Sequence, residues 1–316
     1  MLAAASLSAP GIRAASAQRG WPDRPIVLVN PYPPGGSTEF SARLVAQRME
    51  AELGQPIVIE PRPGAGTGVA NAHVAAQRPD GYTLLMATTS LAVLPALQPA
   101  SQPRDPLAAL TPCGTATRSY FVPHVHPDLP VRSTAELIAH AKANPGRLSW
   151  GSSGIGAINH MSFELFRVRA QIDAVHVPYR GGAPALLDLQ AGRIQAMFAA
   201  VQEARPSLAA GKTRGLAGTA PARLALLPDL PPVAEALPGY ATVFWQGIFA
   251  PAGTPGAIVR RIEAALKAAT ADAALAQRLA EAGIEVWPGD AALLRATLAQ
   301  ELATWGRLIQ EANIRT

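Results

Sequence analysis

"IVLVNPYPPGGSTEF", residues 26–40, decides the fold. Ile26 to Asn30 is a short continuous apolar run, the pattern of a strand buried on both faces. Prolines and the pair Gly35–Gly36 then turn the chain. After the turn Phe40, Leu44, Val45, Met49 and Leu53 recur at helical spacing, and Gly54 is a natural C-terminal stop. The alternation continues downstream. "PIVIE" (56–60) is a second strand, "PRPGAGTG" (61–68) a second glycine-rich turn, 68–78 a helix, and "TLLMAT" (83–88) a third strand. A β-α-β-α-β order predicts right-handed crossovers and a parallel sheet. Both glycine-rich turns then lie at the carboxyl ends of strands, where open α/β sheets bind ligands.

The middle of the chain repeats this logic. "LSWG" (148–151) reads as a strand, followed by "SSGIG" and a helix through Phe163 and Phe166. "DAVHVPY" (173–179) is another strand, then "RGG", a helix over 183–191, and the strand "RIQAMFAA" (193–200). Proline-rich segments at 95–112 and 227–240 separate the units. Two amphipathic helices, 255–282 with a break near Asp272 and 290–312, end the chain and are expected to pack back on an earlier unit with no strand of their own. The expected organisation is two α/β lobes crossed twice by the chain: lobe 1 from 22–120 plus 246–316, lobe 2 from 121–245, and a cleft between them.

Composition narrows the function. Of 316 residues 49% are hydrophobic and 16% charged, enough apolar mass for a large core. The net charge of +5 comes from scattered arginines, with lysine only at Lys142, Lys212 and Lys267. No basic run exists, and aromatics at 5% leave few rings for stacking bases, which argues against nucleic-acid binding. The lone cysteine, Cys113, excludes a disulfide within the chain and reads as a small buried apolar residue. His124 and His126 flank one residue next to prolines and do not form a zinc helix, so no metal or cofactor is expected. "MLAAASLSAP" is apolar and small, and Ala15-Ser16-Ala17 fits a cleavage site, so residues 1–17 read as an export signal whose basic beginning is clipped.

Three chemistries compete for the turns. A phosphate loop requires a lysine after the glycines, and none follows Gly36. Gly64, Gly66 and Gly68 fit G-x-G but put Val69 where a dinucleotide fingerprint has glycine. "GSSGI" (151–155) has isoleucine at the last position of a nucleophile elbow; a hydrolase or lyase using Ser152 or Ser153 stays open, because triads assemble in space. A carboxylate suits the turns best. A glycine-rich turn opening a helix exposes unpaired N–H groups at the positive end of the helix dipole. Gly35, Gly36, Ser37 and Thr38 offer this, and so do Gly64, Ala65, Gly66, Thr67 and Gly68 beside them.

These residues resemble the Bug family, the periplasmic substrate-binding receptors of tripartite tricarboxylate transporters. The likeness runs from "WPDRPIVLVNPYPPGGSTEF" through "RPDGYTLL", "SSGIG", "VHVPYRGGAPALLDLQAGRI" and "LPDLPPVAEALPGY" to "FAPAGTP". It implies a type II periplasmic-binding-protein fold, two α/β lobes with a hinge and interlobe cleft. It also implies capture of a small organic acid for membrane permease subunits, by an exported and monomeric protein. Carried over to this chain, Tyr32, Pro34, Gly35, Gly36, Ser37, Thr38 and Glu39, with Gly64 to Gly68, hold a carboxylate. Thr88 and Thr89 line the same lobe's edge, and Ser152, Ser153 and Gly154 meet the ligand's far end; Tyr179, Arg180 and Gly181 are weaker candidates. Two departures stand out. Glu39 replaces the family's usual Asp, and Ala199–Ala200 replace a polar pair, which implies a more apolar distal pocket.

Overall fold

The structure, a computed structural model, describes residues 20–99 and 105–314; the expected export segment lies outside them. In chain order the elements are β1 (Ile26–Asn30), α1 (Ser37–Leu53), β2 (Ile57–Pro61), α2 (Gly68–Ala75), β3 (Thr83–Thr88), α3 (Ser90–Leu97), α4 (Pro106–Ala109), β4 (Leu110–Ser119) and β5 (Phe121–Val125). Then come α5 (Thr134–Ala143), β6 (Leu148–Ser152), α6 (Ile158–Ala170), β7 (Ala174–Pro178), α7 (Gly182–Gln190), β8 (Ala196–Ala200), α8 (Val201–Ala209) and the two-residue β9 (Arg214–Gly215). The chain closes with β10 (Phe244–Pro251), α9 (Gly256–Thr270), α10 (Ala273–Glu281), β11 (Ile284–Gly289) and α11 (Ala291–Glu311).

Two sheets form. The first has the order β11-β4-β10-β3-β1-β2 and the second β7-β6-β8-β5-β9. Strands β1, β2 and β3 are parallel as expected, with Ile26 opposite Ile57 and Val27 opposite Thr83. The expectation of a wholly parallel sheet is corrected, because β10 runs antiparallel to both β3 and β4. A strand that returns from the other sheet enters from the opposite end, and this sets its direction. The second sheet matches: β6 is parallel to β7 and β8, while β5 is antiparallel to β8. The C-terminal helices also differ from expectation. They carry β11, which pairs with β4 at the sheet edge. The break at Asp272 is real: its carboxylate caps α10 by accepting from the Leu275 N–H at 2.7 Å.

Only Tyr120 separates β4 from β5, so the first crossing is very short. The second crossing enters β10 near Thr242. Thr219 joins the two: its Oγ1 accepts from the Phe121 N–H at 2.9 Å and donates to the Thr242 carbonyl at 2.9 Å. Trp150, Phe163, Phe166, Phe198 and Tyr240 pack the core against the second sheet, with Trp150 and Phe198 ring centroids 5.0 Å apart. Cys113 is buried in the first sheet, and burial pushes its thiol up to about 12, so it is a packing residue rather than a nucleophile.

Candidate functional site

The turn after β1 is braced from inside. Gly35 takes a φ of 90°, open to glycine, and its N–H donates to Glu39 Oε2 at 2.6 Å. Arg43, one turn on, pairs with the other carboxylate oxygen. The Gly35 N–H, aided by Arg43, holds Glu39 below the usual carboxylate range. The acidic residue in this turn therefore locks the loop to the first turn of α1, and it lines neither cavity described below. Gly36 caps α1 and puts Ser37 and Thr38 in its first turn. Tyr32 packs edge-on to Phe244, centroids 6.5 Å apart, with its hydroxyl 3.4 Å from Ser90 Oγ. Burial raises that hydroxyl above its ordinary range.

The second turn is strained. Gly64, Ala65, Gly66 and Thr67 have φ of 136°, 46°, 61° and 97° in succession. Left-handed backbone costs a non-glycine residue about 1–2 kcal/mol, so Ala65 and Thr67 store strain here. The Thr67 N–H donates to the Gly64 carbonyl at 3.0 Å, and Thr67 Oγ1 accepts from Asn71 at 3.2 Å, which fixes the turn on α2.

The second sheet supplies the opposite wall from the turn after β6. Ser153 Oγ and N–H both donate to Asn159 Oδ1, at 2.8 and 3.2 Å, and Asn159 in turn donates to the Phe198 carbonyl at 3.2 Å. Gly154 has φ 133°. Ser152 points elsewhere. It is buried, and its Oγ lies 2.6 Å from His176 Nε2, behind the sheet's edge and outside both cavities. The His176 ring stacks on His160 at 4.0 Å. Burial pulls His176 down to about 4 and His160 down to about 3, so both imidazoles are neutral packing groups. Tyr179 presents its ring to the cleft, while its hydroxyl donates to Asp188 at 2.8 Å. Thr88 and Thr89 are buried and line neither cavity; Thr89 Oγ1 accepts from the Trp245 N–H at 3.1 Å and donates to the Val243 carbonyl at 3.2 Å, pinning the second crossing.

Two adjoining cavities occupy the cleft. One, about 530 Å³ of atom-free space, is walled by Gly36, Ser37 and Thr38 on one side and Ser153, Asn159 and Gly182 on the other. Phe121, Ile158, Ala200 and Phe244 give it an apolar end, so Ala200 lines the cavity while Ala199 is buried against α7 and α8. The other, about 1290 Å³, is walled by Gly64 to Thr67, Ser153, Gly154, Tyr179 and Arg180. Tyr32, Pro33, Ser153 and Gly181 belong to both. The walls touch: a Cβ on Gly66 would lie 2.1 Å from the Ile155 carbonyl oxygen, and one on Gly181 would lie 3.4 Å from Pro33. The cleft is shut along this edge.

Sequence reasoning missed Glu203, Asn159 and the aromatic pair Phe121 and Phe244. The phenylalanines belong to crossing strands that were not predicted. Glu203 is the third residue of α8, a helix also not predicted, and no motif marks it. Its carboxylate accepts from the Ser37 N–H and is raised above the ordinary range by burial, the N–H opposing. Among the described residues no cluster of His, Cys, Asp and Glu is placed to hold a metal, and no helix is long and apolar enough to cross a membrane.

Two α/β lobes, two crossings and a cleft lined by strand-end turns define a solute-binding receptor of the periplasmic-binding-protein class. Comparison with known proteins agrees. The profile of the tripartite tricarboxylate transporter family receptor (TctC) matches residues 41–314. A Rhodopseudomonas palustris protein, Rpa4515, solved with adipate, superposes with a TM-score of 0.88 at 34% identity, covering 93% of this chain and 99% of that one. The periplasmic binding protein BugD gives 0.88 at 29% identity, with 93% and 99% covered. MatC from Rhodopseudomonas palustris, with bound malate, gives 0.86 at 30% identity, with 92% and 100% covered. The chain belongs to the TctC receptor family; it is a Bug-like solute-binding protein and not an enzyme.

Proposed function

We propose that this protein captures a small organic acid outside the cytoplasmic membrane and passes it to the permease subunits of a tripartite tricarboxylate-type transporter, acting as a monomer after export. The observation that carries this reading is the convergence of three strand-end turns on one cleft: 34–38 and 64–68 from the first sheet, 153–154 from the second. The first two turns open helices α1 and α2, whose N-terminal ends favour anions, and the third brings the Ser153 side chain to the cleft. Adipate and malate in two similar receptors support an acid ligand.

In this reading Gly36, Ser37 and Thr38, with Gly64, Ala65, Gly66, Thr67 and Gly68, take the polar end contacts. Tyr32, Pro34 and Tyr179 shape the walls, and Ser153 and Gly154 close on the ligand from lobe 2. Glu39 and Gly35 brace the loop, and Thr88, Thr89 and Ser152 hold strand ends in place behind the site. The lobes are 22–120 plus 246–316, and 121–245. Binding shifts an open–closed equilibrium, because only the closed form contacts the ligand from both sides. Thermal shift against an acid panel tests the reading. Stabilisation that grows with acid concentration is expected; no response to any carboxylic acid refutes it. N-terminal sequencing of protein recovered from the cell envelope tests export, and an intact Met1 there contradicts it.

A further inference from the structure

Glu203 has a place in the cleft that the acid-binding reading leaves unused. It comes from α8, on the second sheet, yet its carboxylate accepts from the Ser37 N–H at the start of α1 on the first. Its Oε1 lies 3.7 Å from where a Gly36 Cβ would be, and its Oε2 2.6 Å from where a Gly182 Cβ would be. The group is thus bracketed by the first residues of α1 and α7 and faces the smaller cavity. Among the described residues no lysine, arginine or histidine pairs with it. A carboxylate withdrawn from water without a cation is unfavourable, and here the open side is ligand space.

The other cavity has the reverse character. Arg180 is exposed on its wall beside Gly64 to Thr67 and makes no ion pair among the described residues. The two cavities meet at Tyr32, Pro33, Ser153 and Gly181. One cleft therefore carries a carboxyl group with no cationic partner at one end and a guanidinium with no anionic partner at the other, among the described residues.

We propose that Glu203 is the specificity-determining residue of this receptor and selects acids that carry an ammonium group at the far end from the carboxylate. This rests on the organic-acid reading above and refines it. The ligand's carboxylate lies toward Arg180 and the 64–68 turn. Its ammonium lies at Glu203, which already holds the anion position at the start of α1. A plain diacid of the same length sets a second carboxylate against Glu203, and like charges in close contact repel strongly in a cavity shielded from water.

The test compares length-matched pairs by calorimetry and thermal shift at neutral pH: 6-aminohexanoate against adipate, and 4-aminobutanoate against succinate. The wild type is expected to bind the ammonium acid of at least one pair about tenfold or more tightly than its diacid, a difference of about 1.4 kcal/mol. Glu203→Gln keeps the shape and removes the charge; it is expected to abolish or reverse that preference. Glu203→Ala serves the same purpose should the glutamine variant lose its fold. A wild-type preference for the diacids, or a preference that neither variant changes, overturns the assignment and leaves the acid-receptor reading standing. Failure of all four acids to bind also overturns the assignment, and the acid-receptor reading then stands or falls with the wider acid panel.

Discussion

Gly66→Ala isolates closure from folding. Gly66 sits at φ 61° in the 64–67 turn, and a Cβ there would lie 2.1 Å from the carbonyl oxygen of Ile155 on the opposite wall. A carbon and a carbonyl oxygen rest no closer than about 3.3 Å. The walls therefore have to part by roughly 1 Å along this edge to admit a methyl group. Within its own lobe the cost is smaller. Ala65, next to it, already holds φ 46°, so an alanine fits the turn's backbone at about 1–2 kcal/mol. Since the clash is between lobes, opening relieves it, and the penalty falls on the closed state. The expected result is a melting temperature without ligand lowered by only a few degrees, roughly 2–4 °C per kcal/mol for a chain of this size. Affinity for the best acid of a panel is expected to fall by about tenfold to a hundredfold, or 1.4–2.8 kcal/mol. Calorimetry reads the affinity, and small-angle scattering with saturating acid reads whether the variant still compacts. Gly306→Ala, in α11 and away from the cleft, is the control, since its Cβ meets nothing within 4 Å. Unchanged affinity in Gly66→Ala, with normal compaction, refutes the argument that this edge closes on the ligand.

Other expectations follow from the same structure. Gly36→Val points branched carbons at Glu203 and into the smaller cavity, so acid affinity should drop about tenfold or more while far-UV dichroism stays native; full affinity removes this turn from the site. Burial raises Glu301 to about 7, with a Trp305 N–H bonded at 2.8 Å opposing it. Between its unfolded value near 4.5 and about 7 the fold retains a proton that the unfolded chain releases, so the cost grows across that window and is complete above it. Glu301→Gln should therefore stabilise the protein by about 1–3 kcal/mol at pH 8, a gain that fades as pH falls through 7 toward 4.5; an equal gain at low pH contradicts this. Buried His124 and His160 and half-buried His176 are held down to about 3, 3 and 4. Depressed imidazoles contribute stability above their unfolded value, near 6.5, and lose it as pH falls toward the folded values, by up to about 1.4 kcal/mol per pH unit each. Denaturant unfolding at pH 7 and pH 5 reads this, and a His124→Asn variant should flatten the slope.

The parallel strands were legible because each is a short apolar run bounded by turn residues. β1, β3 and the helix α1 fell within a residue or two of expectation. The crossing strands were not. β4 starts inside a proline-rich stretch, and β10, "FWQGIFAP", is buried along its whole length, so neither shows alternation. α5 did carry a signal, Ser133 followed by Glu136, and Ser133 caps it by accepting from the Glu136 N–H at 3.1 Å. The glycine turns were legible as cleft-facing positions because positive φ and close approach both call for glycine. Glu203 was not, since its role arises where α8 meets α1 across the cleft, and no spacing along the chain encodes that meeting. Glu39 shows the reverse case: conspicuous as an acid in a turn read from the sequence as acid-binding, it proves to be the brace that fixes the loop.

The central claim is capture of an organic acid without chemistry. Calorimetric titration of the purified, ligand-stripped protein with a panel of dicarboxylates, hydroxy acids and amino acids, followed by NMR of the recovered ligand, tests it most directly. The account predicts saturable one-to-one binding of at least one acid, recovered unchanged. No binding across the panel, or conversion of the bound acid into product, contradicts it.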